Sequence, residues 1–232
     1  MDEEKTNIEP KPQMSKGVRL TLFFLILAAL LIVGVATFFF VGFVLDNYDA
    51  SHSKSYIEQS LAFDMKGDLA SYPEATKNTT EEQRRAAYEA SLDDCIDMIL
   101  DSGELSTEWL GKYRELFERM HKSCQYEVGD ATMKQDDPDF YYVSVKVQKL
   151  TVFAGVTEAL EELLDRQDWE EEDYLQIIYD TISENLANPR YEEPEQVKVL
   201  VDTDDEKYSY RISDEDYAKI YEAMMDWEEL IF

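Results

Sequence analysis

The sequence predicts an α+β domain in which amphipathic helices accompany antiparallel hairpins, in the order ααα-ββ-αα-ββ-α, behind one N-terminal transmembrane helix. Three observations carry this reading. From Leu20 to Leu45 the chain reads LTLFFLILAALLIVGVATFFFVGFVL, without a charged residue, His, Asn, Gln or Pro. Beyond it, most apolar residues recur at helical spacing. In two places the period changes to alternation, each time around a turn, and the two hairpins so formed can share one sheet.

As a helix the apolar segment is about 39 Å long, more than the roughly 30 Å hydrocarbon core of a bilayer, so it spans with tilt or overhang. A buried core helix fits poorly, because no polar face exists to meet water. A cleaved signal peptide would have a shorter apolar region and a small-x-small exit. Here the exit is Asp46, Asn47, Tyr48, Asp49, Ala50, with no cysteine for lipid attachment. Residues 20–45 are therefore expected to act as an uncleaved signal anchor in the lipid bilayer. Lys11, Lys16 and Arg19 precede the span without an acid between Pro10 and Arg19, whereas 46–55 offers only Lys54. Cations favour the cytoplasmic side, so residues 1–19 form a cytoplasmic tail and the C-terminal domain lies outside the cell membrane.

The chain of 232 residues carries 22 Lys and Arg against 51 Asp and Glu, a net charge of -29. In the tail, Lys5, Lys11, Lys16 and Arg19 balance Asp2, Glu3, Glu4 and Glu9, so the whole excess belongs to the residues after the span. That excludes an ordinary nucleic-acid binder, which meets phosphates with Lys and Arg. Anionic headgroups repel such a domain, which is expected to stand off the bilayer.

Each element of the outer domain has its own signal. Residues 46–55 are polar and read as a stalk before the α+β domain at 56–232. Tyr56, Ile57, Leu61 and Met65 make the apolar face of a first helix, closed by Gly67 as a left-handed cap. Thr80 and Gln83 form a capping box, opening a helix with Tyr88, Leu92, Cys95, Ile96 and Ile99 on one face. Ser106 caps a third, carrying Trp109 or Leu110, then Tyr113, Leu116, Phe117, Met120 and Cys124. Tyr126, Val128 and Ala131 then read as a strand, Asp136 to Asp139 as a turn, and Tyr141, Val143, Val145 and Val147 as its partner. A short helix runs from Thr157 through Leu164. Asp168 with Glu171 reads as a second capping box, before a helix through Leu175, Ile178, Ile182 and Leu186. Val197, Val199 and Val201 form a strand, Asp202 to Glu206 a turn, and Tyr208, Tyr210 and Ile212 its partner. Ser213 with Asp216 caps the last helix, which carries Tyr217, Ile220, Tyr221 and Met224.

Chemistry-bearing motifs are scarce. There is no nucleophile with a neighbouring base, no phosphate-binding glycine loop and no metal-ligand spacing around His52 or His121, both of which read as surface residues. No catalytic, metal or cofactor residues are assigned. The Asp202 to Glu206 loop lacks the glycine and glutamate of a calcium loop, since Lys207 and Ser213 stand there. Cys95 and Cys124 both fall on apolar faces and read as small buried thiols, with a disulfide as the alternative. Glu89, Asp93, Asp97 and Asp101 form an acidic row at i, i+4 spacing, which works against its own helix. A solvated face is the plain reading, and a docking stripe for a basic or cationic protein partner the functional one.

Several segments together resemble a group of uncharacterised extracytoplasmic proteins of Gram-positive bacteria, lipoprotein-like or anchored by a single span. These are Tyr56-Ile57, Met65-Lys66-Gly67-Asp68, the Lys112-Tyr113 helix, Tyr126-Glu127-Val128 and the strand Tyr142 to Val147. The resemblance implies a cystatin-like or nuclear-transport-factor-two-like cone of helices on a curved antiparallel sheet, and it carries over no catalytic residue. The chain departs from it in having no lipid-attachment cysteine and in placing two helices between its hairpins.

The expected function is a non-enzymatic module that binds a small ligand or an envelope protein. The alternatives are a carboxylate-dependent extracytoplasmic hydrolase, and a structural or signalling protein acting through helix association, for which only Ala29 and Ala36 share a small-residue face of the span.

Overall fold

Alternation in the valine-rich segments is realised as one face of a four-stranded antiparallel sheet. The computed structural model describes Val35, Thr37 and residues 47–72, 79–100, 102–166, 168–203 and 210–230. The chain forms two compact units, Met1–Asn47 and Tyr48–Phe232. Of the first, Val35 and Thr37 are helical; the rest of the predicted span, including Ala29 and Ala36, lies outside the described residues. Among the described residues no helix is long and apolar enough to cross a membrane.

The second unit is α+β. Helix α1 includes residues 48–66 and is followed by a short 3-10 turn, Leu69–Ser71. Next come α2 (Glu81–Asp97), α3 (Thr107–Ser123), β1 (Gln125–Lys134) and β2 (Asp137–Gln148). After β3 (Leu150–Thr151), helices α4 (Val156–Leu164) and α5 (Glu171–Ala187) precede β4 (Arg190–Tyr191) and β5 (Glu195–Asp202). The chain closes with β6 (Arg211–Ile212), α6 (Asp214–Met224) and a 3-10 turn, Trp227–Leu230.

Strand β2 lies between β1 and β5, with Val145 opposite Val128 and Val197, and Val143 opposite Ala131 and Val199. Its residues Tyr141, Val143, Val145 and Val147 are buried, as are Val199 and Val201 beside them, while the intervening side chains are not. Each valine removed from water contributes about 1.5–3 kcal/mol, so a one-residue slip in register would forfeit this face. Helix α6 packs on β2 and β5, and α3 is flanked by α2 and α5. The core joins Ile57, Leu61 and Met65 of α1 to Leu116, Phe117 and Met120 of α3 and to the sheet valines.

Three predicted caps form as expected. Thr80 and Gln83 make a reciprocal capping box, and the hydroxyls of Ser106 and Ser213 accept from Trp109 N and Asp216 N. Gly67 sits at φ +65°, and its N–H donates to the Phe63 carbonyl at 3.0 Å, closing α1.

Other expectations are corrected. Residues 48–55, expected as a stalk, are helical and run into 56–66, with Ser53 fully buried. The α5 box is made by Glu170 and Asp173 rather than by Asp168 and Glu171. The β1–β2 turn occupies residues 135 and 136, so Pro138 and Asp139 belong to the strand. Pro138 precedes the stretch that pairs with β5, so its missing N–H breaks no bond of that ladder. Most of the predicted 202–206 turn, and Tyr208, lie outside the described residues.

Candidate ligand-binding cleft

Tyr56, Ser60, Phe63 and Asp64 occupy one stripe of α1, at i, i+4, i+7 and i+8. Asp214, Tyr217, Ala218 and Tyr221 make a matching stripe on α6. Between them, completed by Tyr72, by Ala87 and Asp94 of α2 and by Tyr210, Arg211 and Ile212, is a cleft of about 880 Å³. This falls within the volume range usual for small-molecule sites. Tyr56, Phe63, Tyr72, Tyr210, Tyr217 and Tyr221 give it an aromatic lining: Phe63 packs on Tyr72 with centroids 4.8 Å apart, and Tyr217 on Tyr221 at 5.4 Å. The Ser60 hydroxyl is spent within its own helix, donating to the Tyr56 carbonyl at 2.9 Å.

Asp64 is the polar centre of the cleft. The Tyr217 hydroxyl donates to Asp64 Oδ2, and Tyr221 lies close enough to lower the pKa of this carboxylate as well. Burial pushes the Asp64 carboxyl up to about 6, against the lowering effect of the two tyrosines. Burial, reinforced by the charge of Asp64, drives both phenols well above their ordinary value, so they remain donors.

Behind Asp64 lies His121 of α3, fully buried, whose Nδ1 donates to the Asp64 backbone carbonyl at 3.1 Å. Burial lowers its pKa to about 4, which keeps the ring neutral. The surface position expected for His121 is therefore wrong: it faces Phe117 and Tyr221 edge-on. His52 stacks against Tyr210, and its Nδ1 lies 2.8 Å from the Tyr48 carbonyl.

The other predicted site residues lie apart from this cleft. Asp93 takes a bidentate bond from Arg114, both contacts at 2.6 Å, and Glu89 stands 4.0 Å from the same guanidinium. Asp97 accepts from Ser102 N at 2.6 Å, ending α2, and Asp101 lies outside the described residues. Half of the acidic row thus faces an internal cation. Cys95 and Cys124 are both buried and unbridged, and burial pushes each thiol up to about 12. Neither is a ready nucleophile or oxidation site. Among the described residues no group of three His, Cys, Asp or Glu is placed to hold a metal ion.

Sequence reasoning missed Asp64 and took Tyr56, Tyr217 and Tyr221 as core. One signal was available: Asp64 interrupts the apolar face between Leu61 and Met65, where an acid needs a partner.

No family model matches the chain, and a search of curated proteins finds no match either. Among solved structures, the chain is similar to a "putative lipoprotein (ycdA)" of Bacillus subtilis, with a TM-score of 0.51 at 13% identity. The match covers 77% of this chain and 56% of that one. The likeness is one of fold: the α+β arrangement on which the cleft is built recurs there.

Proposed function

We propose that this chain is an extracytoplasmic binding module, anchored by the span at 20–45 with its N-terminus in the cytoplasm, whose cleft takes a small ligand. The cleft carries the reading: about 880 Å³ lined by several aromatic rings, with one partly buried carboxylate held at its base. Extracytoplasmic placement is supported by the uninterrupted apolar segment and its flanking cations. It also agrees with the fold likeness to a protein described as a lipoprotein. Helices packed over a four-stranded antiparallel sheet support the cystatin-like or nuclear-transport-factor-two-like reading, with α4 and α5 as an insertion between the hairpins.

The test is a ligand-observed NMR screen of the full chain in maltoside detergent against a fragment library, repeated with Ala218→Trp, which fills the cleft from its α6 wall. Hits that lose binding in this variant, with unchanged thermal unfolding, support the cleft. Hits indifferent to the substitution, or no hits at all, overturn it.

One observation favours a second reading. A carboxyl with a pKa of about 6 in a cleft suits general acid–base work, as a carboxylate-dependent hydrolase would need. Turnover of ester or glycoside substrates that is abolished by Asp64→Asn would establish it.

A further inference from the structure

We infer that the cleft selects an organic cation, an alkylated ammonium group carried on an apolar body. This rests on the binding reading above and names its ligand class. Aromatic rings from three separate parts of the chain line the cavity: half-buried Tyr56 and buried Phe63 from α1, half-buried Tyr72 from the segment after it, and half-buried Tyr217 and Tyr221 from α6. The faces of such rings carry negative potential and attract cations, most strongly when water is excluded.

Formal charge points the same way. Among the described residues, Asp64 at the base and Asp94 and Asp214 at the exposed rim face the cavity against a single guanidinium, that of Arg211, and no lysine lines it. A carboxylate-bearing ligand would meet three acids against that one guanidinium. A neutral apolar ligand would cover Asp64 without compensating it, which costs free energy unless a charge or hydrogen bond is supplied in return. A bare metal ion is a poorer fit, because among the described residues no three-ligand group exists to replace its water. An alkylammonium satisfies both features at once: its methyl or methylene groups lie against the rings, and its charge faces Asp64. The field of a chain with net charge -29 also raises the local concentration of such cations.

Three probes of similar shape separate the possibilities: benzyltrimethylammonium, its uncharged carbon isostere neopentylbenzene, and phenylacetate. Their affinities are measured by isothermal titration of the full chain in maltoside at pH 7.5. The inference expects the ammonium to bind at least tenfold more tightly than the isostere, and phenylacetate not to bind. Asp64→Asn should remove most of that preference while leaving the isostere unchanged. Tyr72→Leu, which keeps apolar bulk but removes the ring face, should weaken the ammonium several-fold and the isostere little. This second variant keeps the test decisive should Asp64→Asn fail to fold. Equal affinity for ammonium and isostere overturns the cation inference and leaves the cleft reading standing. Binding of neither, together with a fragment screen without Ala218-sensitive hits, overturns both.

Discussion

Asp64 and His121 occupy neighbouring places behind the cleft, and burial shifts them in opposite senses. Asp64 is raised from 3.8 to about 6, so the folded state binds its proton more tightly than the unfolded chain does. That contribution is present below pH 3.8 and lost as pH rises through 6. His121 is lowered from 6.5 to about 4, so its contribution is present above pH 6.5 and lost as pH falls through 4. Each amounts to about 3 kcal/mol, and the two offset one another across the interval. The groups in this field are Tyr217 and Tyr221 on α6, Tyr88, Asp94 and Cys95 on α2, Lys66 on α1, and Cys124 and Tyr126 beside β1. Asp64→Asn removes one side of the balance. Relative to the parent, its stability should fall by about 3 kcal/mol between pH 7 and pH 4, read from urea unfolding at both values. A constant gap between the two proteins would show that Asp64 titrates as an ordinary carboxylate. None of this pairing was legible beforehand, because Tyr217 and Asp64 are 153 positions apart and their meeting depends on how α1 and α6 lie against each other.

At the scale of elements, short-range chemistry was the readable part. Thr80, Ser106 and Ser213 were identifiable as caps because the acceptor and the N–H it serves lie within one turn. The α5 box slipped by two positions because the acidic run from Asp168 to Asp173 offers several pairs of suitable spacing, and only packing chooses among them. The hairpins were visible in the valine alternation, but β3 and β4 were not, since two residues define no period. Asp226 is a cap of a different kind. Nearly inaccessible at 2% exposure, its Oδ1 accepts from Val152 N at 2.8 Å and Phe153 N at 3.1 Å, tying the segment after β3 to the end of α6. Asp226→Ala leaves two buried donors unsatisfied and should destabilise the domain by about 3 kcal/mol. Chemical denaturation measures this, and a loss below 1 kcal/mol would mean that the two amides find other acceptors.

For the molecule as a whole, charge is the dominant feature that composition announced and structure refined. Pairs that join distant segments include Lys54–Asp130 at 3.1 Å, Lys149–Glu228 at 2.7 Å and the Arg114 fork on Asp93, against an excess of 29 acids over bases in the chain. Repulsion among the remaining acids should therefore outweigh the attractions that salt also screens. Raising NaCl from 20 to 300 mM should stabilise the unit Tyr48–Phe232 by roughly 1 kcal/mol, a rise of about 2–4 °C in Tm. A fall in Tm would show that the cross-linking pairs dominate instead.

The placing of α4 and α5 between the hairpins also bears on how the chain reaches its native state. The central pairing of the sheet, Val145 opposite Val197, joins strands separated by the whole α4–α5 insertion. Closing a loop of roughly 50 residues costs entropy before any contact repays it. The β1–β2 hairpin can form on its own, whereas the face that β5 and α6 cover stays exposed until the last quarter of the chain has arrived. A chain made from its N-terminus delivers those elements last. Its core strand β2 must wait beside open valine surface in the meantime, and the repulsion between chains of net charge -29 guards that surface against a second copy.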